Sequence, residues 1–447
     1  MLFGKLGSET SHQPVQLGLI RSTFLICAVI FCVLSLYSLP ALFPNAIGTA
    51  YICVYVVMTC LSAWVWYRGA LPPKTVLLLS LTCCVLLTPL LPYTSNDAHR
   101  YLWDGAVFLS GADPYITAPK DATVSHLRAI WPTPEEHANY PTLYPPGALF
   151  IFSLCALAGP TYAIWIWKGM SSLALGLSLV LGYKLLAAKQ LHKNFSLFAL
   201  SPLLVFETGL GAHLDIICVL GIVSALWCVQ KDKIIAAGII IGLTATVKFL
   251  PAVLVGPFLF YLKPRSAIKL FASSALSWFS IYLLMFGLGY KPLGLLPVFF
   301  EKWRGGAPFY PILESVRATI GLSNTLFLGG LIALAAIGFS ISAWLARRGK
   351  IEIALALTIA VPLMLSPVLF PWYLMSLVIF LALRPSYTLL LLIILTPLSY
   401  VVLNQWLSEN IWHQPHWPEQ ILLAGLMAGL ALDFYRLKKR NLANLNA

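Results

Sequence analysis

Four polar residues in one short stretch, Asp97, Arg100, Tyr101 and Asp104, stand at i, i+3, i+4 and i+7. On a helix they share one face, and Ser95 or Asn96 just before them is a residue type that caps a helix start. Two carboxylates beside a guanidinium offer definite chemistry. A carboxylate can take the proton of an attacking hydroxyl, and a guanidinium can neutralise a phosphate. A local Asp–Arg pair on a solvated helix explains the same spacing without any reaction.

A second set of ionisable residues, Glu207, His213, Asp215 and Lys248, sits within or at the ends of apolar runs. Such groups are costly at membrane depth and usually mark a site. Snorkelling of Lys248 and loop exposure of His213 and Asp215 are the plain alternatives. Asp113-Pro114-Tyr115, Tyr140-Pro141 and Tyr144-Pro145-Pro146 read as turns with aromatic anchors. Glu301-Lys302-Trp303-Arg304-Gly305-Gly306 forms a charged, aromatic segment that either closes over a ligand or lies on the bilayer. The nine cysteines lie in apolar runs without metal-ligand spacing and read as small hydrophobes. No cofactor is expected, although a divalent cation held by Asp97 and Asp104 stays open.

The elements that must position these residues follow from composition. Of 447 residues 59% are hydrophobic and 10% charged, against about 25% charged in soluble domains. The expected solvent is therefore hydrocarbon. Runs near 20–39, 47–67, 75–93, 161–187, 195–211, 214–230, 267–289, 324–346, 351–369, 386–403 and 419–437 predict spanning helices. Those near 234–248, 249–262 and 370–383 predict short ones, and 147–158 a partial span. The first run follows a polar stretch and lacks a small-residue cleavage site, so a retained helix is expected.

Long polar loops at 94–146 and 290–323 interrupt the spans. With the N-terminus in the cytoplasm and 14 crossings, 20 of the 29 basic residues fall on the cytoplasmic side, Lys5 and the 438–447 tail included. Only Glu9, Asp232, Glu352 and Asp433 accompany them. By the positive-inside rule both termini are cytoplasmic and both long loops face out. The net charge of +13 is then a topology signal, and no nucleic-acid partner is expected.

In their order along the chain these blocks resemble the GT-C superfamily of polytopic glycosyltransferases, and within it the bacterial polyprenyl-phosphate-mannose-dependent branch related to the phosphatidylinositol-glycan mannosyltransferases. The carriers are Asn96-Asp97, Arg100-Tyr101, Trp103-Asp104-Gly105 and Asp113-Pro114-Tyr115. They continue with Tyr140-Pro141, Tyr144-Pro145-Pro146, Gly211-Ala212-His213-Leu214-Asp215, Val247-Lys248-Phe249-Leu250-Pro251 and Phe370-Pro371-Trp372-Tyr373. Lys302-Trp303-Arg304 resembles the second outward loop, but Gly305-Gly306 stand where related chains carry a bulkier residue and an amide.

The resemblance implies an all-α polytopic membrane protein: a GT-C-like bundle of about 12–14 transmembrane helices forming one domain over 1–437, with a large first extracytoplasmic loop. It implies an inverting transfer of a hexose, mannose first, from a polyprenyl-phosphate donor to an acceptor hydroxyl on the extracytoplasmic side of a bacterial plasma membrane. Asp97 would be the catalytic base. Arg100 and Lys248 would neutralise the donor phosphate. His213 would donate to that phosphate, with Asp215 orienting the ring. Asp104 would hold Arg100 or bind sugar hydroxyls. Tyr101, Trp103, Tyr144, Trp372 and Tyr373 would stack on the sugar or line the lipid groove, and Trp303 and Arg304 would face the acceptor, a glycan or glycolipid. Glucose and arabinose remain alternatives. A transporter or flippase of a lipid-linked sugar is the rival reading; it predicts an internal repeat and polar groups at the midplane, neither of which the sequence displays.

Overall fold

The computed structural model describes residues 12–445 apart from 134, 293, 410 and 413. Lys5 and Glu9, which enter the charge count above, lie outside the described residues. Among the described residues every regular element is a helix, and the one extended pairing is an isolated bridge between Gly305 and Val368.

Among the described residues six helices are long and apolar enough to cross a bilayer: Ile47–Arg68, Gly159–Ala188, Pro264–Gly287, Asn324–Arg347, Tyr387–Glu409 and Trp417–Lys439. Eight shorter apolar helices accompany them, among them Pro73–Leu87, Asp215–Gln230, Ile234–Ala245 and Ile351–Leu365. Only 6% of the apolar window of Asn324–Arg347 is buried, against 44% for Gly159–Ala188. The first therefore turns nearly its whole apolar surface, Leu326, Leu328, Ile332 and Ile337 included, outward, and the second is central. Water does not tolerate that surface and lipid does. The chain is an all-α polytopic integral membrane protein.

Several expected spans are not continuous helices. The 195–211 run divides into Phe195–Ala199 and Pro202–Gly209, with Ser201 extended before Pro202. Proline lacks the N–H that would continue the ladder and pushes its predecessor out of the helical region. The 351–369 run stops at Leu365, where Ser366 turns extended ahead of Pro367. The 370–383 run opens as a 3-10 turn over Pro371–Leu377, and 386–403 passes into another over Thr396–Val402.

The first long loop is a folded unit. Its Asp97–Leu109 helix starts where Ser95 Oγ accepts the Asp97 N–H at 3.1 Å, while Asn96 turns to Glu136 at 3.0 Å. The helix lies so close to Pro146–Ala156 that a Cβ on Gly105 would collide with the Phe152 backbone. Ala98, Tyr101, Trp103, Phe152 and Trp167 form an apolar cluster there, separate from the main core. Asp113 accepts the Tyr115 N–H at 2.9 Å, the turn expected for Asp-Pro-Tyr, and takes the Lys291 N–H at 3.2 Å from the second loop.

Contacts between connections sort into two ends. At one end Lys189 pairs with Glu352, Asn194 bridges Trp66 and Ala382, and Asp433 binds Ser386 and Thr388. The other holds the first and second loops together with residues 207–215, 246–248, 366–373 and 400–404.

Lys168, fully buried in the middle of Gly159–Ala188, donates to the carbonyls of Leu87 at 3.1 Å and of Leu90. It thereby satisfies the end of Pro73–Leu87 just ahead of the Asp97 block. Lys168→Met keeps the volume and removes the donor. It should lower stability by about 1–3 kcal/mol, read as a lower melting temperature in detergent with the helical content unchanged; an unchanged melting temperature would show that water serves these carbonyls.

Candidate active site

Asp97 begins its helix with a side chain that remains 23% exposed. Its Oδ2 lies 3.4 Å from His213 Nδ1 and 3.4 Å from the Tyr101 hydroxyl, which donates to it. Burial alone would push the carboxyl up, but His213, with smaller help from His137 and Lys248, holds it below the ordinary aspartate value. Asp97 is therefore ionised at neutral pH.

His213 is fully buried, and its Nε2 lies 3.4 Å from Glu207 Oε2. The ring thus bridges two carboxylates at ion-pair distance. Glu207 in turn accepts the Tyr400 hydroxyl at 2.7 Å and the Tyr51 hydroxyl at 3.2 Å. The backbone makes the bridge by a tight return after Pro202–Gly209. Ala212 takes φ +53°, a left-handed conformation that costs a side-chain-bearing residue about 1–2 kcal/mol, and its carbonyl accepts Trp167 Nε1 at 2.7 Å. A Cβ on Gly211 would lie 2.6 Å from His213 Cδ2, so glycine is what lets the ring close on Glu207.

Trp372 stacks on the imidazole at 3.8 Å between centroids, inclined 10°, and Phe370 stacks on Trp372 at 4.6 Å and 14°. Two rings that near one indole do not fit side by side on one face, so they cover opposite faces. Trp372 is a wall for His213, and its faces are closed to a sugar. Tyr373 serves otherwise: the Lys248 ammonium lies 4.3 Å from its ring centroid.

Lys248 reaches both oxygens of Asp215, at 2.7 and 2.8 Å. Asp215 is buried, and the Lys248 side chain is 25% exposed. An ammonium has three donors, so one N–H remains for a ligand. The expectation that Asp215 orients His213 is corrected here: Asp215 holds Lys248, and the imidazole is oriented by Glu207, Asp97 and Trp372. His213 does not offer a nitrogen to a phosphate either, because both face carboxylates.

Arg100 also departs from expectation. It is 5% exposed, and its guanidinium binds Asp104 at 3.0 Å, the Tyr140 carbonyl at 2.9 Å and the His137 carbonyl at 3.2 Å. It clamps the first loop and is almost wholly buried in doing so. Asp104 is the strut beneath it, its second oxygen taken by the Thr142 hydroxyl at 2.7 Å; burial raises its carboxyl above the ordinary value despite Arg100. Tyr101, stacked on Phe152 at 4.7 Å, is buried in the loop's core, and Tyr144 meets its edge at 5.1 Å.

On the second loop Trp303 meets Tyr140 edge-on at 4.7 Å, while Arg304 lies against Glu314 and over Tyr310. Trp303 therefore touches the first loop and Arg304 stays within the second. Among the described residues no three His, Cys, Asp or Glu side chains gather as a metal-ligand set.

Sequence reasoning noticed Glu207 as a costly charge without giving it a role, and missed Tyr51, Tyr400 and His137. A lone glutamate in an apolar run was the signal for the first. Tyrosines inside spans carry none.

A family model described as "Alpha-(1->6)-mannopyranosyltransferase, N-terminal domain" matches residues 33–264, a stretch holding Asp97, Glu207, His213, Asp215 and Lys248. No curated protein and no solved structure matches the chain. The match covers more than half of the 447 residues, so the chain belongs to the alpha-(1->6)-mannopyranosyltransferase family and is a membrane-embedded mannosyltransferase.

Proposed function

We propose that the chain moves mannose from a polyprenyl-phosphate donor to an acceptor hydroxyl with inversion, at the outer face of the membrane. The observation that carries this reading is one cluster in which a partly exposed, ionised Asp97 touches His213 and feels the charge of Lys248. A lipid-linked donor suits a site at the membrane boundary. Its single phosphate asks for one cationic donor, and the third N–H of Lys248 supplies it. The outward placement rests on the basic residues gathered at the opposite end.

In the step itself the acceptor oxygen attacks the anomeric carbon from the face opposite the phosphate. The new carbon–oxygen bond forms as the bond to the phosphate oxygen breaks, and that oxygen keeps the electron pair. Charge on the sugar resembles an oxocarbenium ion, and the growing negative charge on the phosphate is met by Lys248. Asp97 takes the acceptor proton and returns it to water through its exposed edge. The family's description names an alpha linkage, so inversion requires a beta-configured donor. Glu207 holds His213 in place behind the base, and the Arg100–Asp104 strut fixes the loop that carries it. The acceptor enters from the side of Trp303 and Arg304, as a glycan or glycolipid.

Asp97→Asn, assayed with polyprenyl-phosphate-mannose, should reduce turnover by roughly 10²–10⁴-fold, the usual worth of a general base, with an unchanged melting temperature. Near-normal turnover would remove Asp97 from the mechanism. The pH profile makes a second demand. Because the Asp97 carboxyl is held low, its working form persists as pH falls, and the acid limb of kcat/KM should lie below the ordinary aspartate value of about 4. His213→Asn removes the largest influence that lowers it and leaves burial, so the limb should move to higher pH. A limb that stays put in this variant would mean that His213 does not set the charge of the base.

A further inference from the structure

At the end of the molecule remote from the site, Ile234–Ala245 and Pro264–Gly287 start side by side and run in the same direction. They touch at Gly238 and Gly242, where a Cβ would collide with the Leu270 and Ser274 carbonyls and the Ser273 and Ser277 hydroxyls. Between this crossing and the helix starts lies a groove of about 490 Å³. Its floor is Ile235 and Ile239, 52% and 41% exposed. Its rim carries Lys233, Lys269 and Ser266, with Asp232 beside them.

Two features point to an anion. Neither helix start has a side-chain cap, and neither has an acidic residue in its first turn, so their first-turn N–H groups, apart from Pro264, which has none, lack an intrahelical acceptor. Among the described residues no ion pair engages Lys233 or Lys269. The rim's two lysines against one aspartate leave one net positive charge, which matches a single phosphodiester. The apolar floor asks for hydrocarbon in the same ligand.

We infer that this groove binds one anionic phospholipid of the surrounding bilayer, with its phosphate between Lys233, Lys269 and the paired helix starts and its acyl chains along Ile235 and Ile239. The charge selects the headgroup, and the exposed isoleucines join the groove to the lipid-facing surface. This site is independent of the sugar-transfer reading.

The test is native mass spectrometry of the full chain in a neutral detergent, titrated with phosphatidylglycerol, phosphatidylcholine or glycerol phosphate. One phosphatidylglycerol per chain should be retained, and Lys233→Gln with Lys269→Gln should weaken retention at least about tenfold, since two lysines near a lipid phosphate carry that much attraction. Lys184→Gln with Lys193→Gln, which removes the same charge from other basic connections, should leave it unchanged. Equal losses in both double variants would reduce the effect to diffuse attraction and overturn the site. Equal retention of phosphatidylcholine would overturn the charge argument, and equally tight glycerol phosphate would overturn the lipid.

Discussion

An ionised side chain taken out of water loses several kcal/mol of hydration unless a partner replaces it. This molecule meets that constraint by pairing the buried and half-buried charges of its candidate site. Arg100 faces Asp104, Lys248 faces Asp215, and His213 stands between Asp97 and Glu207. What distinguishes the members is how much pairing leaves over. Arg100 and Asp104 are buried and paired with each other, which suits a strut. Asp97 and Lys248 keep exposed edges, which suits groups that must meet a substrate. In the proposed reaction the working groups are the charges whose pairing is incomplete.

The same constraint explains where the helices break. Backbone groups freed from a helix inside hydrocarbon need protein partners. The interruptions near Pro202, Pro251, Pro371 and Pro397 lie next to Glu207, Lys248, Trp372 and Tyr400. Continuous helices such as Asn324–Arg347 face outward instead. A broken helix lets a side chain leave the regular helical face, as left-handed Ala212 does for His213. Its freed polar groups then sit where other polar groups are already gathered.

Much of this was legible in the sequence, and the limits have physical causes. Apolar windows located the membrane-crossing regions because the hydrocarbon thickness sets a length. The same window of about twenty residues smooths over a proline, so 195–211 read as one span although Pro202 divides it. The charges of the site were visible for being scarce, but their pairing was not. Asp215 stands two residues after His213 and reads as that ring's partner. The fold turns His213 back toward Glu207 and starts a helix at Asp215, which sends its carboxylate to Lys248. Tyr51 and Tyr400 meet Glu207 only because distant spans pack together, a contact without any local pattern.

Gly305-Gly306 is explained by the same packing. Gly305 donates to the Pro367 carbonyl at 3.3 Å and accepts the Leu369 N–H at 2.9 Å. Gly306 takes φ +69°, and a Cβ there would collide with the Leu369 carbonyl. A bulkier residue at this point requires another backbone path. The pair binds the second loop to the extended segment that leads into Phe370 and Trp372, the rings stacked behind His213. Displacement of the second loop therefore pulls on the wall that orients the imidazole beside Asp97. At this point the chain places backbone against backbone, and the second loop is coupled to Asp97 through the rings that support His213.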